Sequence, residues 1–337
     1  GAARREPHAR ASGCGARART NATRTAAPRP AAYAKTPGPD HTHSNWTAVR
    51  MSIALLLKTS PQRILTGPWL LLDNDGSFNR FFDWVPRYLR VGPWKPWAGL
   101  FLSGLVFSLA YFVPNLHFPF SPSQPFSRWW WLHTACAAWT GFIAFRGLRQ
   151  NPAPYLVSYT GVSWLLLTTR TACAVLAASL GDTLVVGTSA ALVAECLRFP
   201  AAVGATVTFV VWNLVLAPII YVMFTKSPKR QRAFVNFNFS FQLVNLHLCN
   251  LPLAYLSLAA GGKASGARGF THADLWCGFL VATVYSAFYI LVLDRVGVHL
   301  YPIFSPRAHF SLLGYMSLIG VYFGAFHLWN MFLPIAE

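Results

Sequence analysis

From about residue 96 onward the chain is a succession of long apolar runs broken by short polar, Gly- or Pro-containing stretches. The runs are continuous and do not alternate with period two, and several exceed 18 residues, which predicts helices that cross a membrane. Only helices and closed barrels satisfy their backbone in lipid, and continuous runs select helices. Seven candidate spans fall at roughly 97–115, 129–146, 155–178, 199–224, 237–260, 275–294 and 308–330, each long enough for a hydrocarbon core of about 30 Å. The expected fold is therefore all-α, a polytopic integral-membrane bundle of about six to seven transmembrane helices over residues 96–337. The stretch "GDTLVVGTSAALVAECLR", between the third and fourth spans, is expected along the membrane interface, as is the start of the fifth, "FVNFNFSF". No internal repeat is evident.

Composition agrees with this pattern. Hydrophobic residues make up 54% and charged residues only 11%, where a soluble domain carries about a quarter charged. The net charge of +18 is partly an N-terminal effect: residues 1–50 hold nine of the 28 basic residues and two of the ten acidic ones. This Ala-, Arg-, Thr- and Pro-rich stretch has little to bury and reads as disordered. It is similar to an organellar transit peptide in being Arg-rich and acid-poor; the competing expectation is an artefactual extension ahead of a start at Met51. Residues 51–95 interleave aromatics with Arg and Lys, as suits an interfacial segment. Nucleic-acid binding is not expected, because no folded basic surface supports it.

Loop charges set an orientation. Arg146, Arg149, Lys226, Lys229, Arg230, Arg232, Arg295 and Arg307 fall on one side, and Arg128, Arg198, Lys263 and Arg268 on the other. The denser set is expected to be cytoplasmic. With seven spans Arg80, Arg87, Arg90 and Lys95 join it, leaving the C-terminus lumenal or external. The endoplasmic reticulum is the expected membrane; an organelle membrane follows if residues 1–50 are a transit peptide.

Polar groups at membrane depth are expensive and carry the functional signal. Histidines well inside the spans are His133, His247 and His327; none has a second histidine three or four residues away, so no metal site and no cofactor is expected. The six cysteines form no Cys-x-x-Cys pair and read as small hydrophobes. In "FQLVNLHLCNLPLAYL", residues 241–256, His247 and Asn250 share one helical sector while Asn238, Gln242, Asn245 and Cys249 share the opposite one. The third span carries a Thr160, Trp164 and Thr171 stripe with Ser163 beside it. Thr160 and His247 enter from the same side and can face one cavity. The packing alternative is that Thr160 bonds the carbonyl of Leu156 and His247 bonds a neighbouring helix. Spacing alone favours that alternative.

A family resemblance enters here. Tyr159–Thr160 opens an apolar helix, "HLCNLP" sets His247 five residues before Pro252, and "GVHLYP" presents Gly297, Tyr301 and Pro302 ahead of the last span; "RFPAAVGATVTFVVW" lies between the first two. In that order, across about half the chain, residues 155–330 resemble the androgen-induced gene family, multi-span membrane threonine lipid hydrolases. Val244 and Leu248 stand where the family has a histidine and a threonine, Asn245 is displaced by one position, and the acid after the proline is missing.

The resemblance implies a hydrolase acting on fatty-acid esters of hydroxy fatty acids, with Thr160 as nucleophile and His247 as base. Asn250, one turn on, would orient the imidazole; Asn245 would need a helix rotation to do so, and Ser163 flanks the nucleophile. The expected partners are the bilayer and a hydrophobic ester entering from lipid. The alternative is a non-catalytic membrane protein, a structural subunit or a lipid-binding or transport protein, in which His247 joins helices.

Overall fold

A computed structural model describes Leu89 and residues 93–112, 126–150, 152–181, 185–224, 227–259, 267–296 and 298–333. These fall in one compact unit, Thr42–Glu337. The expectations for residues 1–50, and for all of 51–95 except Leu89 and the segment 93–95, lie outside the described residues, as does Gly297.

The described residues form helices and no strand. In chain order they are α1 (Pro96–Phe112), α2 (Arg128–Gln150), the short α3 (Pro152–Val157), α4 (Tyr159–Leu180), α5 (Val185–Cys196), α6 (198–224), α7 (Pro228–Asn238), α8 (241–258), α9 (272–296) and α10 (Phe310–Phe332). A single 3₁₀ turn, Pro302–Phe304, precedes α10. Among the described residues four segments are long and apolar enough to cross a membrane: Tyr159–Leu180, Arg198–Val222, His272–Leu293 and Phe310–Phe332. The remaining three expected spans correspond to α1, α2 and α8. Helix α1 has 17 residues, α2 carries three arginines and His133, and α8 is loaded with Gln242, Asn245, His247 and Asn250. Large side chains such as Phe107, Leu214, Leu313 and Met331 are more than two-thirds exposed on the outer faces, the pattern of a bundle whose solvent is lipid.

Two boundaries differ from the expectation. The third span is broken. Ser158 is extended (φ −78°, ψ 143°), and its side chain accepts from the Gly161 N–H, starting a new helix at Tyr159. Pro152 and Pro154 initiate the preceding short turn, because proline suits a first helical turn and cannot extend a helix behind it. The segment after the third span is helical. It forms α5, whose Ala190 and Ala191 pack on Cys173 and Ala177 of α4. The "FVNFNFSF" stretch ends α7, and the chain turns at Ser240, which caps α8 by accepting from Leu243 N–H.

Helix α6 is the centre of the core. All residues from Arg198 to Thr208 are buried, because small residues at 201, 202, 204 and 205 let neighbouring backbones approach. A Cβ on Gly204 would stand 2.6 Å from Ser163 Oγ, so glycine is what lets α4 lie against α6 there. Trp329 of α10 donates to Thr206 Oγ1 (2.9 Å), and Phe199 meets Phe270, Tyr322 and Phe326 edge-on.

Each end of the bundle is pinned by ions. At one end Arg268 binds Asp274 (2.6 Å) and Glu195 (2.7 Å), while Arg198 lies 3.5 Å from Glu195 and donates to the Arg268 carbonyl. These contacts join the end of α5, the start of α6 and the start of α9. At the other end Asp294, fully buried, accepts from Trp94 (2.7 Å) and from Arg307 (2.7 and 3.2 Å). His299 Nδ1 lies 3.4 Å from the same carboxylate. Arg198, Arg268 and Arg307 are thus internal ion-pair members as well as loop charges.

Candidate functional site

Thr160 lies in the first turn of α4, immediately after the break at Ser158. The break is tight: a Cβ on Gly161 would collide with the Tyr155 carbonyl oxygen. The N-terminus of a 22-residue helix therefore opens beside Thr160, and its dipole favours negative charge there.

His247 is carried by a π-helical turn, Asn245–Cys249, inside α8. A second π turn, Val211–Leu216, faces it from α6. Such turns insert a residue into the helical register and often accompany functional sites. Here they have a visible effect. The His247 carbonyl accepts from Asn213 Nδ2 (2.8 Å), which also donates to Phe209 O (2.8 Å). The imidazole stacks on Trp212 with ring centroids 4.2 Å apart and planes 8° from parallel. Trp212 is itself held by donation to Asn238 Oδ1 (2.7 Å).

Between these elements the Thr160 hydroxyl faces His247 Nε2 at 3.5 Å, longer than an ordinary hydrogen bond. Catalytic contacts are often this loose before substrate tightens them. Other threonines behave differently: Thr168, Thr171 and Thr206 each donate to the carbonyl four residues back. His247 is 5% exposed. Its Nδ1 has no aligned partner, although the Leu243 carbonyl one turn back attracts it. A proton on Nδ1 leaves Nε2 free to accept from Thr160.

The other residues singled out from sequence fall as follows. Asn250 is 2% exposed and its Oδ1 is unpartnered. Asn245, expected to reach the ring only after a helix rotation, is engaged elsewhere: it accepts from Trp139 Nε1 (2.9 Å) and donates to Phe241 O. Ser163 is buried against Gly204. Trp164 donates to the Thr140 carbonyl (2.9 Å) and Thr171 meets Thr140 at 3.3 Å, so the stripe beyond Thr160 is helix packing. Among the described residues no three His, Cys, Asp or Glu side chains converge as metal ligands.

Three neighbours were not singled out from sequence. Trp212, the last residue of the "RFPAAVGATVTFVVW" run, and Asn213 approach His247 from a helix some 35 residues earlier in the chain, with no role assigned to either from the sequence. Tyr301, noted only as a motif residue, accepts from Tyr159 N–H at 3.1 Å. That bond sets the Tyr301 hydroxyl at the first residue of α4, next to Thr160 in the chain. No family model, curated protein or solved structure matches the chain.

Proposed function

We propose that the protein is an intramembrane lipid ester hydrolase of the androgen-induced gene type, with Thr160 as nucleophile and His247 as base. The observation that carries the reading is the 3.5 Å approach of the Thr160 hydroxyl to His247 Nε2. A threonine hydroxyl is a weak nucleophile until a base takes its proton. His247 accepts that proton as Thr160 Oγ1 bonds to the ester carbonyl carbon and the carbonyl electrons move to oxygen. Collapse of this intermediate breaks the bond to the alcohol, which leaves with the proton from His247, and the acyl group stays on Thr160. Water then repeats the attack, His247 taking and returning its proton, and the fatty acid departs. The positive end of α4 faces the developing charge.

The expected substrate is an apolar ester such as a fatty-acid ester of a hydroxy fatty acid, reached from lipid through a seven-span bundle in the endoplasmic reticulum membrane. The second reading is a non-catalytic bundle. It is favoured by the use of α8 side chains as inter-helix bonds, seen in Trp139 to Asn245 and in Gln242 to the Ile143 carbonyl. The discriminating experiment is hydrolysis of long-chain esters by purified protein in detergent. Thr160→Ala and His247→Ala should each remove nearly all activity, while equal rates in wild type and Thr160→Ala would leave the packing account.

A further inference from the structure

The proposed reaction lacks one part so far, a hydrogen-bond donor for the oxygen that becomes negative when Thr160 attacks. The helix N-terminus alone does not supply it in full. In the first turn of α4 the Gly161 N–H is taken by Ser158 Oγ, the Val162 N–H by Ser158 O and the Tyr159 N–H by Tyr301 Oη.

Tyr301 meets the requirement. Its backbone is clamped on both sides by one phenol: its N–H donates to Tyr289 Oη (2.9 Å), and Tyr289 Oη donates to its carbonyl (3.0 Å). Phe304 packs edge-on against its ring (centroids 5.9 Å apart). Its hydroxyl is thereby fixed at the start of α4, on the N–H of the residue just before Thr160. The proton count then points one way. Tyr301 Oη accepts from Tyr159 N–H, so its own proton is available. Tyr285 cannot be the donor, because its proton goes to the Val157 carbonyl (3.0 Å). The Thr160 proton faces His247. The Tyr301 proton is therefore left for a group that enters beside Thr160.

We infer that the Tyr301 hydroxyl is the oxyanion donor of this site, a catalytic role that rests on the hydrolase reading above. Once Thr160 Oγ1 is bonded to the acyl carbon, the former carbonyl oxygen is attached to that same carbon. A donor fixed at the start of α4 then bonds this more negative atom. No proton is transferred from Tyr301: the phenol hydrogen-bonds the oxyanion, and the bond weakens again when the carbonyl reforms. Burial of the ring raises the phenol above its usual value, which keeps the hydroxyl protonated.

Kinetics on Tyr301→Phe test this, with a long-chain p-nitrophenyl ester in detergent micelles. Loss of one such donor should lower kcat by about 10²–10³-fold and leave KM within about threefold. A trifluoromethyl ketone, which forms a tetrahedral adduct, should lose affinity in proportion, whereas an uncleavable ether analogue should not. Tyr285→Phe, which removes the adjacent hydroxyl, should lower kcat by less than about tenfold. A loss below about tenfold in Tyr301→Phe, or an equal loss in Tyr285→Phe, overturns the inference. If Tyr301→Phe does not fold, 3,5-difluorotyrosine at 301 keeps the hydroxyl and ionises at lower pH; the alkaline fall of kcat should move down with it, and an unmoved limb overturns the inference. Thr160→Ala, run in parallel, separates the two failures. If it is fully active the hydrolase reading is lost, and if it is dead while Tyr301→Phe is not, only the donor assignment is lost.

Discussion

Gly161→Ala should damage the site without touching either reacting side chain. The added methyl group would overlap the Tyr155 carbonyl, coming within 2.7 Å of the carbonyl carbon and 3.1 Å of Ser158 Oγ. Carbon atoms prefer about 3.5–4.0 Å, so the break between α3 and α4 must open by about 1 Å. Tyr155 offers backbone here, which cannot swing aside as a flexible side chain would. Two effects oppose each other. Alanine improves a helix by roughly 0.5–1 kcal/mol over glycine, while overpacking a fitted site costs about 1–3 kcal/mol. The steric effect should win, because the obstacle is main chain. Thermal unfolding in detergent, followed by tryptophan fluorescence, should show a lower Tm. Reactivity should fall further than stability, because a misplacement of about 1 Å costs on the order of 10²-fold in rate. Gly161→Ala with wild-type Tm and wild-type ester turnover would refute the reasoning, showing that the tight break does not position Thr160.

Asp294→Asn should be among the most destabilising single changes, by about 3–5 kcal/mol, because it leaves the buried Arg307 charge without its counter-ion; Asp294→Leu with Arg307→Met should recover most of the lost Tm. Trp212→Ala should lower ester turnover by removing the ring that holds the imidazole plane, and Trp212→Phe should retain most of it, since an aromatic stack is worth about 0.5–1.5 kcal/mol. The "KSPKRQR" loop should be cytoplasmic and Glu337 on the opposite side; in sealed vesicles, cleavage of a C-terminal tag by protease added from the cytoplasmic side would mean an even number of spans.

Hydropathy made the helices legible, because the lipid-facing requirement writes itself into long apolar runs. The break at Ser158 was hidden inside such a run: Leu156, Val157 and Tyr159 are apolar or aromatic on both sides, and a lone serine does not announce a new helix start. The π turns at Val211–Leu216 and Asn245–Cys249 have no compositional mark at all. The second of them changes the register of Asn250 relative to His247 in a way that counting 100° per residue does not capture. Thr160 and His247 stood out through the family resemblance; as polar groups at membrane depth alone they suited helix packing equally well. Trp212 was legible only as the end of the "RFPAAVGATVTFVVW" run, because an aromatic in a membrane helix is ordinary packing until its ring is seen against the imidazole. Arg198, Arg268 and Arg307 were legible only as loop charges; their carboxylates, Glu195, Asp274 and Asp294, stand at helix ends that the fold brings together.

The central claim is that Thr160 is a hydroxyl activated by His247. The most direct measurement is to treat the folded protein with a long-chain fluorophosphonate and locate the adduct by peptide mass spectrometry, since such probes report activated hydroxyls. The account predicts one adduct, on the peptide containing Thr160, absent in Thr160→Ala and strongly reduced in His247→Ala. No adduct on wild type, or an adduct that persists in Thr160→Ala, would contradict it.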